Sequence, residues 1–91
     1  GTIALLLSSP TCSTCVPVRR LLDELAVTRR DLRWTDVDVT TRPELAERFG
    51  ILRLPTTLLF EPDGHLVARA SGVPPREELQ AHLDRGVVPA R

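Results

Sequence analysis

The sequence predicts a small α/β sandwich with the element order β-α-β-α-β-β-α. Three observations predict it. An unbroken apolar stretch of strand length opens the chain; two stretches with apolar residues at helical spacing follow, with an alternating strand between them; and a Pro-Asp-Gly turn separates two further strand-length runs. At 91 residues the chain has the size of one domain, expected over residues 1–86, with residues 87–91 as a loose tail.

Residues 2–7 hold Ile3, Ala4, Leu5, Leu6 and Leu7 without alternation, as a central strand buried on both faces requires, and Ser8-Ser9-Pro10 ends the run. Val18, Leu21, Leu22, Leu25 and Ala26 then form a helical stripe. Its outer face carries Arg19, Arg20, Asp23 and Glu24, which predict the i,i+4 pairs Arg19/Asp23 and Arg20/Glu24 on a solvated surface. Pro17 falls near the start of this helix, where a missing N–H is tolerated, so the helix begins at the cysteine pair. Residues 33–39 make the second strand, with Val37 and Val39 alternating with Asp36 and Asp38 and with Trp34 as a packing residue. Thr41-Arg42-Pro43-Glu44 has the form of a capping box before a short helix containing Leu45, Ala46 and Phe49, which Gly50 is placed to end. Residues 56–60 and 65–71 flank Glu61-Pro62-Asp63-Gly64 and predict a hairpin. Pro74 and Pro75 open a last helix with Leu79 and Leu83 on one face, and Gly86 is expected to stop it.

Twelve basic and twelve acidic residues give a formal net charge of zero, so no basic field draws nucleic acid or an anionic membrane to the chain. No apolar run approaches the roughly 20 residues of a membrane span. Every basic residue is Arg, which removes lysine chemistry. The chain has no methionine, so its N-terminus is expected to be processed or an expression scar, with any signal or anchor lying outside it; with no signal visible in the chain, the expected compartment is the cytoplasm.

The two cysteines, Cys12 and Cys15, are too close for their bridge to restrict the unfolded chain strongly, and too few for a disulfide scaffold or a zinc site. His65 and His82 do not have metal-ligand spacing, and no metal is expected. Chemistry is the better reason for the pair. Cys12-Ser13-Thr14-Cys15 follows a buried strand and opens a helix, so unpaired N–H groups and the positive helix end favour a thiolate at Cys12, the expected nucleophile. Cys15, one turn on and deeper, is the expected resolving thiol. Thr11, Ser13 and Thr14 are its neighbours, and Ser13 and Thr14 serve either as hydroxyl donors or as helix caps.

These residues resemble the thioredoxin family. The strand leading into Cys12-Ser13-Thr14-Cys15 is one part of the likeness. The other, about forty residues on, is Arg48-Phe49-Gly50-Ile51-Leu52-Arg53-Leu54-Pro55-Thr56-Thr57-Leu58-Leu59-Phe60, which looks like the segment around that family's cis-proline. Asp36-Val37-Asp38, the Asp63-Gly64 turn, Gly72, Leu79 and Leu83 fall in the family's order, so the likeness covers nearly the whole chain. It implies a thioredoxin-like three-layer sandwich around a four-stranded mixed sheet. It also implies a cis bond before Pro55, a substrate strand paired to the backbone of Leu54, and Leu54, Pro55, Thr56 and Val73 as substrate-binding residues. Ile51, Leu52, Leu54, Val73 and Pro74 would form an apolar rim, with core packing as the plainer role for Ile51.

The implied activity is thiol-disulfide oxidoreduction on protein disulfides, with no bound cofactor beyond the redox-active disulfide Cys12-Cys15. Electrons would come from a thioredoxin-reductase-type flavoprotein or a small thiol. Departures from the family include the missing N-terminal strand and helix, which leave the Trp34 strand as a sheet edge in a monomer or weak dimer. Ser13-Thr14 stands for Gly-Pro, and Leu6 for a buried aspartate six residues before the first cysteine. Three other readings stand beside this one. They are a glutaredoxin-like reductase, for which Gly72-Val73 is a poor match to the paired glycines; a non-catalytic binding module of the same fold; and a copper carrier using Thr11-Cys12-Ser13-Thr14-Cys15.

Overall fold

The computed structural model describes residues 1–87, and its elements are β1 (Thr2–Ser8), α1 (Cys15–Thr28), β2 (Leu32–Asp38), α2 (Pro43–Phe49), β3 (Thr56–Phe60), β4 (Leu66–Ser71) and α3 (Arg76–Val87). The strands form one sheet in the order β2-β1-β3-β4, with β1 parallel to β2 and antiparallel to β3, and β3 antiparallel to β4. The predicted order and mixed sheet are therefore present. β2 is an edge, as expected. Residues 88–91, most of the expected tail, lie outside the described residues.

Strand alternation divides β1 between two layers. Ala4 and Leu6 join Val18, Leu22, Leu25, Leu32, Leu59, Leu79 and Leu83 in one buried cluster, which places α1 and α3 on the same side of the sheet. Full burial of one such leucine stabilises by about 1.5–3 kcal/mol. Ile3, Leu5 and Leu7 point the other way, toward the layer of α2. Phe49 at the end of α2 meets Phe60 of β3 edge-on, with ring centroids 5.9 Å apart. This layer is thinner. α2 has seven residues and none is fully buried.

Several local expectations are not met. The capping box does not form. The Asp38 carboxylate accepts from the backbone N–H and hydroxyl of Thr40, and the Thr41 hydroxyl donates back to the Asp38 carbonyl at 2.9 Å. The helix therefore starts one residue later, with Arg42 at the N-cap and Pro43 at the first helical position. Its end follows expectation: Gly50 is left-handed at φ 63, its N–H bonds Glu47 O, and the Ile51 N–H reaches Ala46 O. Neither i,i+4 pair on α1 is present. Arg19 pairs with Asp36 of β2, Asp23 accepts from the Trp34 indole N–H at 3.1 Å, and Glu24 pairs with Arg76 of α3. The solvated face is thus a seam between elements. Gly86 does not stop α3, which continues to Val87; one interior glycine costs a helix only about 1 kcal/mol.

Candidate active site

Three loops meet at one end of the sheet because of strand register. Leu7 of β1 pairs with Thr56 of β3, and Thr56 pairs with Ser71 of β4, so the segments after β1, before β3 and after β4 emerge side by side. The first carries the cysteines, the second Leu54-Pro55 and the third Gly72-Val73.

The chain leaves β1 through a tight turn in which the Cys12 N–H bonds Ser9 O at 3.2 Å. Cys12 and Cys15 form a disulfide with Cα atoms 5.4 Å apart. Cys15 is the first residue of α1 and is 0% exposed, whereas Cys12 is half-buried and reaches the surface. The expected free N–H groups at the first sulfur need correction. The N–H groups of Cys15 and Val16, in the first turn of α1, are already taken, by Cys12 O and Ser13 O at 3.3 Å each. The helix end therefore acts on Cys12 through its field and not through these donors. Thr14 stands at the N-cap without a side-chain cap bond, and its hydroxyl lies 3.5 Å from the Cys12 sulfur. Of its two sequence readings, the structure favours the hydroxyl donor. Thr11 and Ser13 are exposed beside it, and Thr11 meets Ser9 through their hydroxyls.

The Leu54-Pro55 bond is cis. Pro55 is buried, and its carbonyl accepts from the Gly72 N–H at 2.7 Å, which ties the second loop to the third. Thr56 is 2% exposed and its hydroxyl donates to Arg53 O at 2.6 Å, so its side chain closes the loop from inside. Leu54 is half-buried. Leu52, 99% exposed, and Val73, 48% exposed, are the apolar groups turned outward, together with Val16 of α1. Pro74 is buried and does not belong to the rim, because it packs where the chain turns into α3; Ile51 is half-buried, in keeping with its packing role.

Two features were missed in the sequence. One is a cluster beside the first loop: the Ser8 hydroxyl donates to the Asp36 carboxylate, whose other oxygen is held by Arg19, and a cavity of about 310 Å³ adjoins them, lined by Ser8, Ser9, Pro10, Arg19, Asp36 and Asp38. The second lies at the opposite end of the sheet. In the hairpin turn Glu61, Asp63 and His65 bring potential ligand atoms within 4.8 Å of one another, an arrangement that alternate positions 61, 63 and 65 could have suggested. There the Asp63 carboxylate accepts from the His65 backbone N–H and ring. Those bonds hold the Asp63 pKa below its ordinary value and raise that of His65.

Residues 2–85 match the family model described as Thioredoxin. The SPbeta prophage-derived thioredoxin-like protein YosR of Bacillus subtilis is 35% identical over 71 residues, covering 78% of this chain and 82% of that one. A thioredoxin of Mycobacterium tuberculosis is 38% identical over 79 residues, covering 86% of this chain and 66% of its own length. In fold, oxidised mitochondrial thioredoxin 3 of Saccharomyces cerevisiae superposes with a TM-score of 0.79 at 23% identity, over 91% of this chain and 77% of that one. A malarial protein gives 0.81 at 23% identity, over 96% and 98%. No helix among the described residues is long and apolar enough to cross a membrane. A disulfide at a helix start, a cis-proline loop at the same end of the sheet and a match along nearly the whole chain lead to one assignment: the chain belongs to the thioredoxin family of thiol-disulfide oxidoreductases.

Proposed function

We propose that this chain reduces disulfides in other proteins, with Cys12 attacking and Cys15 resolving. The observation that carries the reading is the unequal burial of the two cysteines: Cys12 is half-buried and Cys15, one helical turn on, is fully enclosed. The Cys12 thiolate attacks a substrate sulfur, a mixed disulfide forms and the first substrate thiolate leaves. Cys15 then attacks the Cys12 sulfur, which restores the Cys12-Cys15 disulfide and releases the second thiol. Thr14 donates its hydroxyl to the Cys12 thiolate, between its neighbours Thr11 and Ser13. The backbone of Leu54, freed from competition by the missing N–H of Pro55, pairs with an extended substrate segment, with Thr56 bracing the loop and Val73 and Leu52 touching apolar side chains.

The couple works without a prosthetic group and is recharged by a thioredoxin-reductase-type flavoprotein or a small thiol. The reading places it in the cytoplasm as a monomer or a weak dimer through the β2 edge. A glutaredoxin-like use of a small thiol keeps some support from a cavity of about 290 Å³ beside the cis-proline loop, where Arg53 and Arg69 could meet a carboxylate. The test is substitution with mass spectrometry. Cys12→Ser should abolish exchange, and Cys15→Ser should accumulate mixed disulfides at Cys12; full activity in Cys12→Ser would reverse the assignment. Equilibration in thiol/disulfide buffers should place the couple near about −270 mV for a reductant, whereas a value above about −180 mV would make it an oxidant or isomerase.

A further inference from the structure

Three arginines, Arg19, Arg29 and Arg76, are each held by a carboxylate, that of Asp36, Asp84 and Glu24 respectively. Arg53 and Arg69 are not. Neither has an ion pair among the described residues, although the chain carries as many acidic as basic groups. Both line one cavity of about 290 Å³ formed by the Gly50–Arg53 segment, Thr56 and β4, and no acidic residue lines it with them. Arg69 and Ser71 stand two apart on β4 and so leave the sheet on the same face. One Arg69 Nη donates to the Phe49 carbonyl at the end of α2, which steers the guanidinium toward the loop and leaves its other N–H groups unused. Arg53 is carried by the loop itself, and the Thr56 hydroxyl donates to its carbonyl at 2.6 Å, fixing the backbone that bears it. The loop adds donors of its own. The N–H groups of Gly50 and Ile51 are spent on α2, but those of Leu52 and Arg53 have no acceptor among the described residues. Two guanidinium groups, the exposed Ser71 hydroxyl and two free N–H groups, with no carboxylate among them, suit an anion, and the planar fork of Arg matches a carboxylate.

Place decides which carboxylate. Neither cysteine lines the cavity, so a small molecule that filled it would not bring its own sulfur to Cys12. The volume also stands at the low end of the roughly 300–1,000 Å³ of small-molecule pockets. The occupant that fits is a side chain on a longer chain, one that passes the loop and carries its disulfide on to the cysteines. Leu54 and Pro55, where the thiol-exchange reading seats an extended substrate, lie directly between Arg53 and Thr56 in sequence, and the Pro55 carbonyl is tied to Gly72, next to Ser71. We infer that Arg53 and Arg69 form a carboxylate subsite that makes protein disulfides flanked by Asp or Glu the preferred substrates. The inference rests on the thiol-exchange reading above and narrows its substrate class. It adds no chemical step. The acidic residue holds the substrate chain while Cys12 attacks, so the gain lies in capture at low substrate concentration and not in resolution by Cys15. Both arginines are exposed, so salt weakens the preference.

The experiment measures how fast the reduced protein is oxidised by short peptide dimers joined through one cysteine, using acid quench, alkylation and mass spectrometry. Glu is placed at successive positions before and after the cysteine, with Gln in its place for comparison. At low ionic strength the Glu peptide of the best position should react about fivefold faster than its Gln counterpart, the upper size for exposed charge pairs. The ratio should fall toward one as salt is added and as peptide reaches saturation. Arg53→Gln and Arg69→Gln should each lower it, and the two together should bring it to one. Arg69→Lys, which keeps the charge and loses the fork, should retain part of it. Arg20→Gln makes the same change of net charge on the outer face of α1 and should leave the ratio at its wild-type value. Equal rates for Glu and Gln peptides at every position overturn the inference, as does a ratio that survives the double substitution or one that Arg20→Gln lowers equally. Glutathione disulfide supplies the other source of a carboxylate. If Arg53→Gln slows its reduction while the Glu/Gln ratio stays, the cavity serves a small thiol and the inference fails. If no peptide oxidises the wild-type protein, the thiol-exchange reading fails and not this subsite alone.

Discussion

The two faces of the sheet differ in how completely they are covered. On the side of α1 and α3, nine residues from two helices and three strands close into one cluster, and Cys15 sits at the edge of that layer with no exposed surface. On the other side α2 contributes no fully buried residue, and Ile3 at the far end of β1 is 42% exposed. The comparison teaches where stability and recognition are lodged. The covered layer holds the enclosed sulfur in a fixed place, while the thin layer ends in the Gly50–Pro55 loop, whose Leu52 projects into water. On the proposed function, the loop that would receive a foreign chain is attached to the layer with least to lose from moving.

Paired truncations test this difference most severely. Leu22→Ala in the covered layer should lower unfolding stability by about 2–5 kcal/mol in urea titrations, through lost burial and the cavity left behind. Ile3→Ala on the thin side should cost less than about 1 kcal/mol, because nearly half of that side chain is already in water. Equal losses would erase the distinction between the faces. A subtler probe is Thr57, a polar defect within the covered layer. Thr57→Val keeps the shape and removes a hydroxyl that lacks a partner, so the midpoint should rise by the equivalent of about 1 kcal/mol. A fall would mean that the hydroxyl is satisfied in solution.

The smallest effect belongs to the hairpin turn, at the other end of the sheet from both layers' work. The His65 pKa is raised from its ordinary 6.5, chiefly by the Asp63 hydrogen bond, so the contribution of the protonated pair is complete below that value and lost as pH climbs through the raised folded value. For Asp63, lowered from 3.8, the corresponding contribution exists above that value and disappears as pH falls through the lowered one. Both side chains are fully exposed, so solvent screens the pair. Asp63→Asn should return the His65 titration, followed by NMR, toward its ordinary midpoint with disulfide exchange unchanged. A titration that stays in place would show that the pair does not form.

What the sequence made legible is governed by distance along the chain. The element order could be read because strand alternation, the α1 stripe, the Gly50 terminator and the Pro-Asp-Gly turn are each local signals. The cysteine pair at a strand-to-helix junction was equally local. The cis bond at Pro55 was not readable from residue pattern alone, since a proline also begins a strand; it followed from resemblance to a family. What failed was decided by neighbours remote in sequence. Arg19 exchanges an expected partner four residues away for Asp36, seventeen residues on, and Glu24 binds Arg76 from the last helix. The capping box is the exception, lost to a local competitor: Asp38, just ahead of Thr40 and Thr41, organises the loop before α2 with its own carboxylate. The burial of Pro74 depends on where α3 docks. The Ser8–Asp36–Arg19 cluster belongs to the same class, because three separate elements must assemble before it exists.

Trp34 gives the assembled layer a voice of its own. It is the only tryptophan in a chain without tyrosine, it lies half-buried on β2 against the covered cluster, and its indole N–H is bound by Asp23 of α1. Fluorescence excited near the red edge of protein absorption therefore comes from a single joint, the seam between the first helix and the edge strand. A spectrum that shifts before helical circular dichroism is lost would record that seam opening ahead of the rest, and coincident curves would record a chain that comes apart as one unit.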